Sequence, residues 1–196
     1  MARIPSPRAV AGGAQQRMIN QVWKSFAEHE VSHSAAHYLT TLHELHERRG
    51  YARVSDVAKE LGVTKGSVSV QMKHLREKGW VIEDENRHLQ LTEVGRSVAL
   101  DVMHNREVLV EFLRSVLRLS GEQAETDACK LEHLVSPETS RELLLLVDLL
   151  QSQDPAAQKA LEKFHNFESA CPSIEECQLC DDQCLIELEP NKKLPE

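Results

Sequence analysis

The sequence predicts a mainly α-helical chain with one short β-hairpin, and three observations carry that expectation. Apolar residues recur at three- and four-residue spacing through most of the chain. Aromatic residues make up only 4% of it, which leaves little material for an extensive sheet. One brief stretch, WVIEDENRHLQLT, breaks the helical period with two strand-like pieces around Asp84 to Arg87.

Residues 1–13 carry Pro, Gly and Ser without periodicity and read as a disordered lead-in. AQQRMINQVWKSFAEHE then places Met18, Val22 and Phe26 at helical spacing. A second helical run, AAHYLTTLHELHERRG, turns Leu39, Leu42 and Leu45 inward and stops at Gly50. Next, Ser55 is expected to cap a short helix bearing Val57, Ala58 and Leu61, with Gly62 as the turn. Thr64 caps another helix with Val68, Met72 and Leu75 buried, ended by Gly79. Two short helices joined this way have helix-turn-helix spacing, and the hairpin after Trp80 adds a wing. Residues 14–91 therefore read as a winged helix-turn-helix with an extra N-terminal helix.

From Thr92 a long helix carries Val98, Val102, Leu109 and Leu113 on one side, with an irregularity expected near Asn105. Gly121 closes the connection, and helices follow at about 122–133, 138–151 and from Pro155 to about Phe167. The run LLLLVDLL in the second of these is too apolar for a lone surface helix and implies a partner subunit, so residues 92–167 read as a helical dimerisation domain. Residues 168–196 form a cysteine-rich tail.

The formal charge is −8, which taken evenly would disfavour nucleic acid, but its distribution is uneven. Between Arg48 and Trp80 there are eight Lys or Arg against three acids, placed on the helix-turn-helix. In such a unit the second helix enters the major groove of double-stranded DNA. Thr64, Ser67 and Ser69 are then placed for base-edge or phosphate hydrogen bonds, Lys65, Lys73 and Arg76 for phosphates, and Arg87 or His88 on the wing for the adjacent backbone. The bland alternative is a winged helix that serves only as a packing module, which leaves the cationic surplus unexplained. No stretch approaches a membrane span, and MARIPSPRAVAGG lacks the apolar core of a secretory signal, so a cytoplasmic location is expected.

DACKLEHLV sets Cys129, Glu132 and His133 at i, i+3 and i+4, one face of a continuous helix. Thiolate, carboxylate and imidazole are ligand types that transition metals prefer. His29, His33 and His37 also recur every fourth residue, but Ser32 and Ser34 interrupt them, and His29 and His33 read as solvated residues ahead of a helix cap. The tail spacing Cys171-x5-Cys177-x2-Cys180-x3-Cys184 lets at least three sulfurs converge, for an iron–sulfur cluster, a structural zinc clip or reversible thiols, in that order of preference. No nucleophile–base pair or phosphate-cradling loop accompanies these ligands, so no enzyme is expected.

The segments YLTTLHEL, GYARVSDVAKELGVTKGSVSVQMKHL, LQLTEVG, VEFL and ACKLEHLVS, spread from about Ser32 to Val147, resemble the diphtheria-toxin-repressor family of metal-dependent transcriptional regulators, which has iron and manganese branches. The resemblance implies a homodimeric repressor of metal-homeostasis genes that binds an operator when metal is present. By its motifs His37, just before Tyr38, joins Cys129, Glu132 and His133 as primary ligands. Cysteine at 129 is similar to the iron branch and implies iron(II) ahead of manganese or zinc. One departure concerns the ancillary site, where Arg106 stands at an expected histidine ligand and Val110 replaces a carboxylate. A guanidinium does not coordinate metal, so Arg106 is expected to pair with Glu125 or another acid in place of the lost cation; His104 lies on a different helical face. The rival reading is a redox- or cluster-responsive regulator whose primary site is vestigial.

Overall fold

The computed structural model describes residues 31–167. The lead-in, the first expected helix, His29 and the four tail cysteines lie outside the described residues. Residues 30–161 form one compact unit, and the described part of the other unit, residues 162–167, ends the last helix.

Helix α1 (His33–Arg49) starts where Ser32 Oγ accepts from the Ala35 N–H at 3.2 Å, and it stops at Gly50, whose left-handed backbone (φ 76°) donates back to His46 O. Its Leu39, Leu42 and Leu45 are fully buried, each worth about 1.5–3 kcal/mol relative to exposure. Helix α2 (Val54–Leu61) and helix α3 (Lys65–Glu77) follow, joined through Gly62 and Val63 and packed on α1 through Val57, Val68, Met72 and Leu75. The expected Ser55 cap is not used. Arg53 occupies the cap position, and its N–H donates to the Asp56 carboxylate at 3.0 Å, because Asp56 sits three residues on and reaches back. Thr64 caps α3 as expected, accepting from the Ser67 N–H at 3.1 Å.

Strands β1 (Val81–Glu83) and β2 (Leu89–Leu91) pair antiparallel with Ile82 opposite Gln90. The Leu89 N–H donates to Ala52 O, and His46 Nε2 donates to Leu89 O at 2.7 Å, so the wing is stitched to α1 and to the α1–α2 connection. These elements make the expected winged helix-turn-helix.

Helix α4 (Glu93–Glu111) is capped by Thr92, whose Oγ1 accepts from Gly95 N–H. Its irregularity falls at Phe112–Val116, one turn of π-helix in which Leu117 N–H reaches Phe112 O, and not near Asn105. Asn105 stays in regular helix, its amide nitrogen donating across to the turn after α5 as described below. Helix α5 (Gly121–Leu131), helix α6 (Pro137–Gln151) and helix α7 (Pro155–His165) complete the described chain. The expected helix to 133 is therefore two residues too long. Leu109 and Leu113 pack on Ala124 and Ala128 in a second core, while Leu145, Leu146 and Leu149 of α6 remain 43–55% exposed.

Helix α4 can leave the wing so closely because residue 95 has no side chain. A Cβ there would stand 2.0 Å from Trp80 O. Gly95→Ala should lower unfolding stability by about 1–3 kcal/mol or more, measured by urea denaturation, because the contact is backbone and cannot move aside.

Candidate metal centre and DNA-facing surface

Three donors converge where α1 meets α5. His33 Nε2 and His37 Nε2 lie 3.1 Å apart, and Cys129 Sγ lies 3.4 Å from His37 Nε2. Ligand atoms of His33, His37 and Cys129 all fall within 4.8 Å of one another. The two imidazoles share a face because they are four residues apart inside α1, and the Ser32 cap sets the helix start just before His33. His33 is exposed, His37 and Cys129 partly buried. Burial, the neighbouring His33 and the Arg106 charge hold the His37 imidazole below its ordinary pKa, which favours the neutral, ligating form.

The expected ligands thus divide. His37 and Cys129 are brought together; His33, read from the sequence as a solvated residue ahead of the cap, joins them. Glu132 and His133 lie outside the group. Helix α5 ends at Leu131, so Glu132 is its C-cap and His133 falls in the turn that follows, where strict helical spacing no longer orients it. The His133 ring stands 5.1 Å from that of His33.

Glu132 is only 3% exposed and its carboxylate accepts from Arg106 Nη1 at 3.2 Å. Burial raises its pKa, and the Arg106 guanidinium pulls it back down. Arg106 also donates through Nη2 to Glu125 at 2.8 Å, so the expected Arg106–Glu125 pair is present and Arg106 spans both acids. Its neighbour Asn105 is buried and donates from Nδ2 to Glu132 O at 2.9 Å and Val135 O at 2.8 Å, satisfying carbonyls freed by the end of α5. Consecutive residues of α4 thereby hold the backbone and the side chain of Glu132.

On the winged helix, Lys65, Ser69, Arg76 and Arg87 line one concave surface between α3 and the wing. Arg53 lines it too, a cation that the reading of α3 alone missed. Thr64 and Ser67 are exposed at the N-terminus of α3 with hydroxyls 2.9 Å apart, and the Ser69 hydroxyl donates to Lys65 O. Arg76 is ion-paired with Glu83 of the wing, and Lys73 lies 3.9 Å from Glu77, away from the concave surface. Arg87 sits in the wing turn at φ 59°. Val70, off the Val68–Met72–Leu75 face, is 58% exposed on α3.

Residues 30–89 match the family described as the iron dependent repressor, N-terminal DNA binding domain, and residues 92–162 match the iron dependent repressor, metal binding and dimerisation domain. The chain belongs to the iron-dependent repressor family. This is the diphtheria-toxin-repressor grouping that the sequence motifs resemble, and it is a family of DNA-binding regulators, not enzymes. Members are similar at moderate identity. The HTH-type transcriptional regulator MntR of Geobacillus kaustophilus is 33% identical over 99 residues, covering 50% of this chain and 70% of that protein. The iron-dependent repressor IdeR of Mycobacterium tuberculosis is 29% identical over 111 residues, 57% of this chain and 48% of that repressor. The chain thus spans about half the length of the latter. The solved manganese regulator SloR matches with TM-score 0.53 and 24% identity over 58% of this chain and 53% of that one, which shows the fold alone. Family members bind divalent metal, iron or manganese. Among the described residues no helix is long and apolar enough to cross a membrane.

Arg106→Leu should leave Glu132 buried without its cation. Unfolding stability is expected to fall by about 1–3 kcal/mol, less than for a fully enclosed pair since Arg106 is 39% exposed, and urea denaturation of both proteins measures it.

Proposed function

We propose that this chain is a metal-dependent repressor that binds double-stranded operator DNA as a homodimer and controls metal-homeostasis genes, with iron(II) as its preferred ion. The observation that supports it best is the 3.4 Å approach of His37, on a helix of the DNA-facing unit, to Cys129, on a helix of the metal-binding domain. A bound divalent ion supplies a positive charge shared by donors of both helices. Neutral His37 and the Cys129 thiolate give that ion nitrogen and sulfur donors, a set that suits iron(II) better than manganese(II). Drawing α1 toward α5 selects one orientation of the winged helix against the dimerisation domain. Two recognition helices must reach half-sites about one DNA turn apart, so that orientation sets operator affinity.

At the DNA, we assign Lys65, Lys73, Arg76 and Arg87 to phosphates and Thr64, Ser67 and Ser69 to hydrogen bonds along the groove. Arg76 exchanges Glu83 for a phosphate on binding. The dimer buries Leu145, Leu146 and Leu149 of α6, which fits the match of residues 92–162 to a dimerisation domain. The spacing of Cys171, Cys177, Cys180 and Cys184 supports a second centre, an iron–sulfur cluster or zinc, in the tail.

Selection from a randomised duplex pool, run anaerobically with iron(II) and again with chelator, tests the reading. Two-fold symmetric sites should be enriched with iron(II) alone, and Cys129→Ser should abolish the enrichment; equal enrichment in chelator would refute metal dependence. Leu149→Asp should shift the protein toward monomer in sedimentation analysis and weaken binding to two-half-site DNA, while an unchanged oligomer would place the interface elsewhere.

A further inference from the structure

The carboxylate expected among the metal ligands is engaged elsewhere, and an imidazole with no expected role stands in the cluster. We propose that His33 is a metal ligand, and that His33, His37 and Cys129 form a nitrogen–nitrogen–sulfur tripod from which Arg106 withholds Glu132. The proposal rests on the metal-dependent reading above and specifies the donor set of that same site.

Geometry supports it first. A tetrahedral ion with nitrogen ligands at about 2.0–2.1 Å and a thiolate at about 2.3 Å sets its donors about 3.3–3.6 Å apart. The His33–His37 and His37–Cys129 separations, 3.1 and 3.4 Å, are close to those edges, so an ion enters with small side-chain rotations. The imidazole rings meet edge to face, 87° between planes with centroids 4.5 Å apart, while their Nε2 atoms converge. The His133 ring stands beside that of His33, with centroids 5.1 Å apart.

Charge supports it second. Withdrawing a carboxylate from a divalent site removes a hard, anionic donor and leaves two neutral nitrogens and one thiolate. Glu132 stays where it is because it is buried against Arg106, whose second arm is fixed on Glu125, and because Asn105 pins the Glu132 carbonyl. Freeing it for metal would leave a partly buried guanidinium with Glu125 as its one remaining carboxylate contact among the described residues. The resulting site discriminates against manganese(II), which favours carboxylate and water, and accepts ions such as iron(II), cobalt(II) and zinc(II).

Cobalt(II) reports both donor identity and geometry, through a thiolate charge-transfer band and the intensity of its d–d bands. It would be titrated into the full-length protein and into a full-length variant carrying Cys171→Ser, Cys177→Ser, Cys180→Ser and Cys184→Ser, so that the thiolate band of the variant comes from Cys129. A charge-transfer band with intense tetrahedral d–d bands is expected. Adding His33→Ala should weaken cobalt(II) at least about tenfold and alter the d–d bands, whereas Glu132→Gln should leave spectrum and affinity within about twofold. An equal concentration of manganese(II) should not displace cobalt(II). His33 lies at the exposed start of α1, and circular dichroism confirms that its variant folds. Wild-type affinity and spectrum in His33→Ala, or their loss in Glu132→Gln, would overturn the tripod while leaving the metal-dependent reading intact. A thiolate band that is absent from the tail variant, or a cobalt(II) affinity that Cys129→Ser in that variant leaves unchanged, would overturn both.

Discussion

Asn105 and Arg106 stand side by side on α4, and the turn after α5 takes its position from them. Asn105 holds two carbonyls of that turn and Arg106 holds the Glu132 side chain. The segment has left regular helix and would otherwise expose unsatisfied carbonyls in a buried place. Because α5 is anchored at its end, Cys129, three residues before the anchored Glu132, is presented to α1. In the proposed tripod, the donors left to a metal are set by the hydrogen bonds that the end of α5 makes with α4.

A fixed guanidinium between two carboxylates does part of what a second cation would do, neutralising Glu125 and Glu132 without needing occupancy. Where the resemblance implies an ancillary histidine ligand, Arg106 carries its positive charge within the chain itself. One variable contact then remains for the environment to fill, the meeting of α1 and α5. In the proposed repressor, linkage between metal and DNA would run through that contact, because it joins α1, packed against α3, to the helices that carry the exposed leucines of α6.

The DNA-facing surface follows a different logic. Its four cations are supplied by three separate elements, with Arg53 before α2, Lys65 at the start and Arg76 at the end of α3, and Arg87 on the wing. No single amphipathic pattern encodes such a set. The wing comes near α3 because Leu89 and His46 tie it to the α1 side of the core, and Gly95 lets α4 depart without displacing it.

Much of the fold was legible in order along the chain, since periodicity, Thr64, Thr92 and the glycines at 50, 62 and 79 are local signals that act within a turn of where they stand. Local spacing drew attention to Cys129, and the family resemblance implied His37 as a ligand and Arg106 as a residue that cannot be one; the structure brings His37 and Cys129 to 3.4 Å. Errors arose where a distant partner intervened. Asp56 reached back to Arg53 and moved a cap, and Asn105 donates to carbonyls up to thirty residues on while the helical irregularity falls at Phe112–Val116. Glu132, expected as a ligand, is ion-paired with Arg106, which the proposed tripod takes as its withdrawal from the metal. Spacing along the chain determined which side chains could share a face. Only the tertiary structure decided which of them were already committed, because an ion pair or a carbonyl cap between helices far apart in sequence outweighs the local geometry of either one.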